Sequence, residues 1–326
     1  MNGSCVNLEN PIGDAISRVQ FAPQSNNLLI SSWDSCIRLY DVDSSLLRFE
    51  SPNEAALLDC CFENDFTAFS AGSDGLITRY DLHEGVRYTI GNHDDLATCI
   101  GYSGETHQVV STSLDKRIMF WDVRQPQTLI CARNLHSDVS SMALSGFDLV
   151  VSLGALVYLF DLRNLDQPVQ SNESQVEVQI RCVSSSPYTK EYAAGSVDGR
   201  VALETSSRSS LNKTGYIFRC HPKSRDGRFH LVSVNDIRFN PVINGAFVTG
   251  DNEGYVIGWD AQSKRRLFEL PKFPNSVASI SYNHGGQLLA VASSRTYQGA
   301  NEIEEPPQLF MHKVDGSISG GSSSRT

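Results

Sequence analysis

No uncharged apolar run in the sequence approaches the roughly 18 to 20 residues that a membrane-spanning helix needs. The opening MNGSCVNLEN has neither the basic nor the apolar zone of a secretory signal. The expectation is a soluble intracellular protein that does not engage a membrane. Positive charge is also scarce: 27 Lys and Arg stand against 37 Asp and Glu, a net charge of -10. Direct nucleic-acid binding is therefore not expected, because duplex affinity comes from Lys and Arg neutralising phosphates. The eight cysteines contain no Cys-x-x-Cys pair and most lie in apolar, strand-like stretches, as reduced core thiols do. There is no Gly-rich phosphate loop, His-Glu-x-x-His or GxSxG elbow. The neighbours Cys220 and His221 lack the other ligands of a zinc site. No catalytic residue, cofactor or metal is expected.

What the sequence does contain is a repeat. Short alternating segments end in an aromatic and an acid: IRLYD at Asp41, ITRYD at Asp81, IMFWD at Asp122, VYLFD at Asp161 and VIGWD at Asp260. The first four are spaced by 40, 41 and 39 residues, the period of one four-stranded propeller blade. Six positions before the aromatic stands a turn acid: Asp34, Asp74, Asp115 and Glu253. Two units deviate, with Gly154 in place of the acid and Glu204 in place of the aromatic. The turns SWDS, GSDG, SLDK, GSVDG and DNEG are rich in residues that hairpins require.

Seven apolar strands precede these landmarks, so the expected fold class is all-β, a seven-bladed WD-repeat β-propeller spanning 5–314. An open ring leaves an unpaired edge, and CVNLE at 5–9 is the candidate to close the last blade. The tail, 315–326, has the Ser/Gly-rich composition of disorder. Two further segments escape the period: 205–231 and the Glu- and Pro-bearing 295–307. From Ser206 to His230 there are six Lys or Arg against one Asp, a local +5.

His93, Asp115 and Trp121, with a Ser of the second strand, fit a buried hydrogen-bond chain within a blade better than a catalytic dyad. Comparison of equivalent positions around the ring is more informative. Two residues before the first-strand apolar position the units carry Ser17, Leu58, Thr98, Ser140, Arg181, Asn235 and Ala278, of which only Arg181 is charged. Two residues after the turn acid the fifth unit again places an arginine, Arg200, and Arg219 follows on its outer strand. The local reading is solvated arginines or an internal pair with Glu204. The functional reading is an anion-recognition patch, since guanidinium groups match carboxylate and phosphate bidentately. Trp33, ahead of the turn acid where other units carry Ser73, Leu114, Val197 and Asn252, reads as an interface anchor.

Taken in order, SNNLLISSWDSCIRLYDV, AGSDGLITRYDL, AAGSVDGRVALE, FRCHPKSR, VTGDNEGYVIGWD and SVASISYNHGGQLLAVASS resemble the WD-repeat spindle-checkpoint proteins of the Bub group (budding uninhibited by benzimidazole, third member), over about residues 8–314. The resemblance implies a non-enzymatic adaptor. It would bind the short GLEBS segments of checkpoint kinases and pseudokinases and dock them on phosphothreonine motifs of a kinetochore scaffold. It would delay anaphase, aid kinetochore–microtubule attachment and feed the mitotic checkpoint complex. It places the protein in the nucleus, at kinetochore and centromere and on the spindle in mitosis, with a cytoplasmic pool. Trp33, Arg200 and Arg219 would lie on the partner-binding face, with Arg181 added from the ring comparison. Two other readings stay open: an mRNA-export propeller that binds GLEBS at nuclear pores, and a WD-x-Arg substrate receptor of a cullin ubiquitin ligase, from FWDVR at Arg124 and LFDLR at Arg163.

Overall fold

The computed structural model describes residues 3–6, 10–125, 127–165, 168–205, 215–220, 232–296 and 305–314. Seven four-stranded antiparallel sheets succeed one another along the chain as a β-propeller. Blade one runs from the inner strand Ile16–Phe21 through Asn27–Ser32 and Cys36–Asp41 to the outer Leu46–Pro52. Blades two, three, four and six occupy 57–92, 97–134, 141–173 and 234–269. Blade five comprises Ile180–Ser185, Glu191–Ser196, Arg200–Thr205 and Tyr216–Arg219. Blade seven takes three strands, Val277–Tyr282, Leu288–Ser293 and Gln308–Lys313, from the C-terminal end and its outermost, Gly3–Cys5, from the other end of the chain.

The ring is thus closed by an N-terminal strand, but one placed earlier than the expected 5–9: the register is Gly3 to His312, Ser4 to Met311 and Cys5 to Phe310, followed by Val6 N–H to Leu309 O. Its residues are exposed, so no apolar alternation marks it. Residues 7–9, the segments 206–214, 221–231 and 297–304, and the tail 315–326 lie outside the described residues.

The core is layered between blades. Val19, Leu28 and Tyr40 of blade one pack on Ala290 and Leu309 of blade seven, and the other six seams are built alike. This burial explains the second and third strands, whose central residues are almost all enclosed by neighbouring sheets. The turns joining those strands need a left-handed residue, and Ser35, Gly75, Lys116, Gly154, Gly199 and Gly254 supply it. Gly154 meets this need even though its turn has lost the acid.

The inner strands carry a bulge just after their start in six of the seven blades, at Ser17, Leu58, Thr98, Arg181, Asn235 and Ala278. These are the positions that the ring comparison had aligned. The residue after the bulge links blades. Asp59 Oδ2 accepts from Ile100 N–H, Asp236 Oδ2 from Ile280 N–H, Ser279 Oγ from Val19 N–H, and in blade four Ser141 Oγ from Val183 N–H. Arg18 adds an ionic tie, its Nε 3.4 Å from Asp59 in blade two and its Nη1 3.6 Å from Asp236 in blade six.

Candidate partner-binding face

The turns between second and third strands, and the connections from each outer strand to the next blade, emerge on one face of the disc. All four sequence-selected residues stand there, in three groups.

Trp33 crowns the turn of blade one, 48% exposed. The turn beneath it is fixed: Trp33 N–H donates to Ala15 O at 2.8 Å, Cys36 N–H to Asp34 Oδ1 at 3.1 Å and Gly13 N–H to Asp34 Oδ2 at 2.9 Å. Arg38, nearly buried, forks onto both Asp34 oxygens and places its Nε 2.8 Å from Glu50. Burial alone would raise the Asp34 carboxyl, yet the Arg38 hydrogen bond and charge hold it below the usual range. The indole is therefore presented on a rigid base.

In blade five, Arg200 and Arg219 are cross-strand partners. Arg200 Nε lies 2.7 Å from Asp198 Oδ2. Arg219 donates from Nη1 to Asp198 O at 2.8 Å and places Nη2 3.7 Å from Asp198 Oδ2. The local pairing expected with Glu204 does not occur. Glu204 is buried, accepting from Ser174 Oγ at 2.7 Å, Gln175 N–H at 2.9 Å and Tyr192 O–H at 2.6 Å. The aromatic of this blade has moved to the second strand, and its phenol meets the carboxylate that replaced Trp. Asp198 is the internal carboxylate instead, and two guanidiniums over one carboxylate leave a net charge of +1.

Arg181 does not join them. From the inner-strand bulge its Nη2 donates to Thr296 O at 3.0 Å, and Asn235 Nδ2 reaches the Thr296 hydroxyl at 3.3 Å. Arg181 thus leans toward blade seven at the mouth of the central channel. Lys272 is not among the candidates that the sequence offers. It follows the outer strand of blade six and sits 5.4 Å from the Tyr255 ring, and Tyr255 occupies the position equivalent to Arg200. Aligning the outer-strand-to-next-blade segments, rather than only the turns, would have found it.

The expected chain in blade three is present: His93 Nδ1 bonds Asp115 Oδ2 at 2.9 Å, His93 Nε2 bonds Ser111 Oγ at 2.8 Å, and Trp121 Nε1–H donates to the same oxygen at 2.8 Å. Burial pushes His93 below the ordinary histidine value against the pull of Asp115. No group of three or more His, Cys, Asp or Glu fit to hold a metal exists among the described residues, and the buried thiols of Cys60, Cys61, Cys182 and Cys220 are raised by desolvation. Arg124 and Arg163, the candidate ligase-receptor residues, fork onto Asp122 and Asp161 at the opposite face.

The chain is similar to known proteins. The family "WD domain, G-beta repeat" matches residues 6–41 and 85–122. The chain is 55% identical to the mitotic checkpoint protein BUB3.3 of Arabidopsis thaliana, across 96% of this chain and 100% of that one. It is 40% identical to BUB3.1 of the same plant, across 94% and 92% of the two chains. It is 33% identical to the mitotic checkpoint protein bub3 of Dictyostelium discoideum, across 93% of each.

Proposed function

The chain belongs to the Bub3 family of WD-repeat mitotic checkpoint proteins, and from that premise we propose that it is a non-enzymatic adaptor that binds GLEBS segments of checkpoint kinases and pseudokinases. It docks them on phosphothreonine motifs of the kinetochore scaffold, which places it at kinetochores and in the nucleus during mitosis. The observation that carries the checkpoint role is similarity over essentially the whole chain to proteins bearing that name. Trp33 and the Arg200–Arg219 pair supply the means.

Trp33 and the arginine pair lie three blades apart around a seven-blade ring. A segment that touches both crosses the channel mouth, where Arg181 stands. The apolar side of a short helix seats on the exposed indole, which loses water with little loss of its own freedom. Acidic side chains of the segment meet guanidiniums already oriented by Asp198, so few rotamers remain to be frozen on binding. Phosphothreonine engages the same side of the ring, where Lys272 of blade six adds a third cation.

Calorimetry with a GLEBS peptide tests the assignment. Arg200→Glu and Trp33→Ala are each expected to weaken binding at least tenfold, about 1.4 kcal/mol, with cooperative unfolding of the ring retained. Unaltered affinity in both variants would remove these residues from the binding face.

A further inference from the structure

The opposite face of the disc carries a second surface that the adaptor reading leaves unused. Leu46, Phe66 and Val86 are large apolar side chains exposed by 50%, 66% and 51%. They come from separate turns of blades one and two, and contacts run between those turns. Leu46 pairs with Asp41. The neighbouring Asp43 accepts from Asn26 Nδ2 at 2.9 Å, and Gln24 N–H crosses the blade boundary to Asp65 Oδ1 at 3.0 Å. Phe66 O then accepts from Leu82 N–H, and Val86 O from Asp81 N–H, both at 2.8 Å. The Gly85 turn returns to blade one, where a Cβ would touch Phe49 at 3.9 Å. The three apolar groups therefore rim one seam on a framework of hydrogen-bonded turns.

Carboxylates outnumber cations around this seam. Asp43 and Glu84 are exposed and Asp65 is half-buried. Of the cations beside them, Arg48 is held by Asp41, with Nε and Nη2 at 3.0 and 2.5 Å from Oδ2, and Arg87, next to Val86, is drawn to Pro52 O and to Asn53 Oδ1. Apolar anchors within a predominantly acidic rim match a ligand with the converse pattern, since complementary potentials set which partners are admitted. We propose that the seam between blades one and two, centred on Phe66, docks a short basic and apolar segment of a partner protein.

The test is fluorescence anisotropy of the full chain with a labelled twelve-residue peptide of alternating lysine and leucine at physiological salt. Phe66→Ser with Val86→Ser, and separately Asp43→Lys with Glu84→Lys, are each expected to weaken binding at least tenfold. Glu54→Lys with Asp138→Lys, the same charge change on the other face, is expected to leave it within twofold. Equal weakening by both charge pairs would mean that only net charge is read and would overturn the proposal. So would undiminished binding to a peptide with glutamate in place of lysine. Sedimentation across a concentration series covers the remaining occupant: a dimer abolished by Phe66→Ser would make a second copy the ligand and overturn it too. Each measurement is independent of GLEBS binding, so loss of one surface is distinguishable from loss of the other.

Discussion

Arg200 and Arg219 stand opposite each other on the two outer strands of blade five, and Asp198 bonds both, through its carboxylate to the first and its carbonyl to the second. The pair is both oriented and half-neutralised. Asp198→Asn retains an oxygen for the turn while raising the local charge from +1 to +2. We expect an acidic GLEBS peptide to bind three- to tenfold tighter to this variant at low salt. The gain should shrink toward nothing near 1 M salt, where screening acts within about 3 Å. Calorimetry at two ionic strengths reads this directly. Weaker binding at both would mean that orientation by Asp198 outweighs its charge.

Within blade three, one imidazole bonds two partners, Asp115 through Nδ1 and Ser111 through Nε2, and Ser111 Oγ is shared with the Trp121 indole. His93→Ala strands several buried polar groups, at about 1–3 kcal/mol for each one left unsatisfied. We expect a loss of about 2–4 kcal/mol in denaturant unfolding, with binding at the Trp33 and Arg200 sectors preserved. A loss below about 0.5 kcal/mol, the range of an ordinary surface change, would show that the chain contributes little.

This chain of side chains was legible because its members recur at fixed offsets from the Trp121–Asp122 landmark. The same offsets misled in blade five. There the first position is Ser174, too short to reach Asp198, so the turn acid faces Arg200 rather than the interior. The aromatic partner entered from the second strand as Tyr192, where no landmark is expected. The closing strand was legible as a necessity of ring closure but not in position, because three exposed residues paired on one edge carry no burial pattern. Arg18 was invisible to pattern reading, since its partners belong to other blades and only closure brings them together.

Arg18 reaches two carboxylates from different blades. Burial raises both Asp59 and Asp236 despite its charge. Arg18→Met leaves both acids without that cation, and breaking a buried ion pair on one side costs about 3–5 kcal/mol. The sign of the pH dependence follows from the raised carboxyls: the folded state takes up protons at a pH where the unfolded chain, at about 3.9, still does not. The variant should therefore regain stability as pH falls from 7 toward 5, the opposite of a salt-bridged carboxylate. Denaturant midpoints at both pH values check it, and a further loss on acidification would contradict the assignment.

His312 occupies in blade seven the position that Trp121 holds in blade three, with Phe273 at 5.4 Å against its ring. Neither ring nitrogen has a hydrogen-bond partner among the described residues, and burial depresses its pKa. Closure depends on the fit of this ring against Gly3, where a Cβ would fall 2.0 Å from Cε1. Gly3→Ala is therefore expected to displace the closing strand, seen as a lower melting temperature and faster proteolysis ahead of Val6. The unfolded histidine titrates near 6.5 and the folded one lower, so the neutral ring's contribution is full above about pH 6.5 and is lost as pH falls through the folded value. His312→Leu removes this titration and leaves that of His93, which shifts the same way. Between pH 7.5 and 5.5 the wild-type chain should lose more unfolding free energy than the His312→Leu variant. Equal losses would assign the acid sensitivity of the ring to blade three and not to its closure.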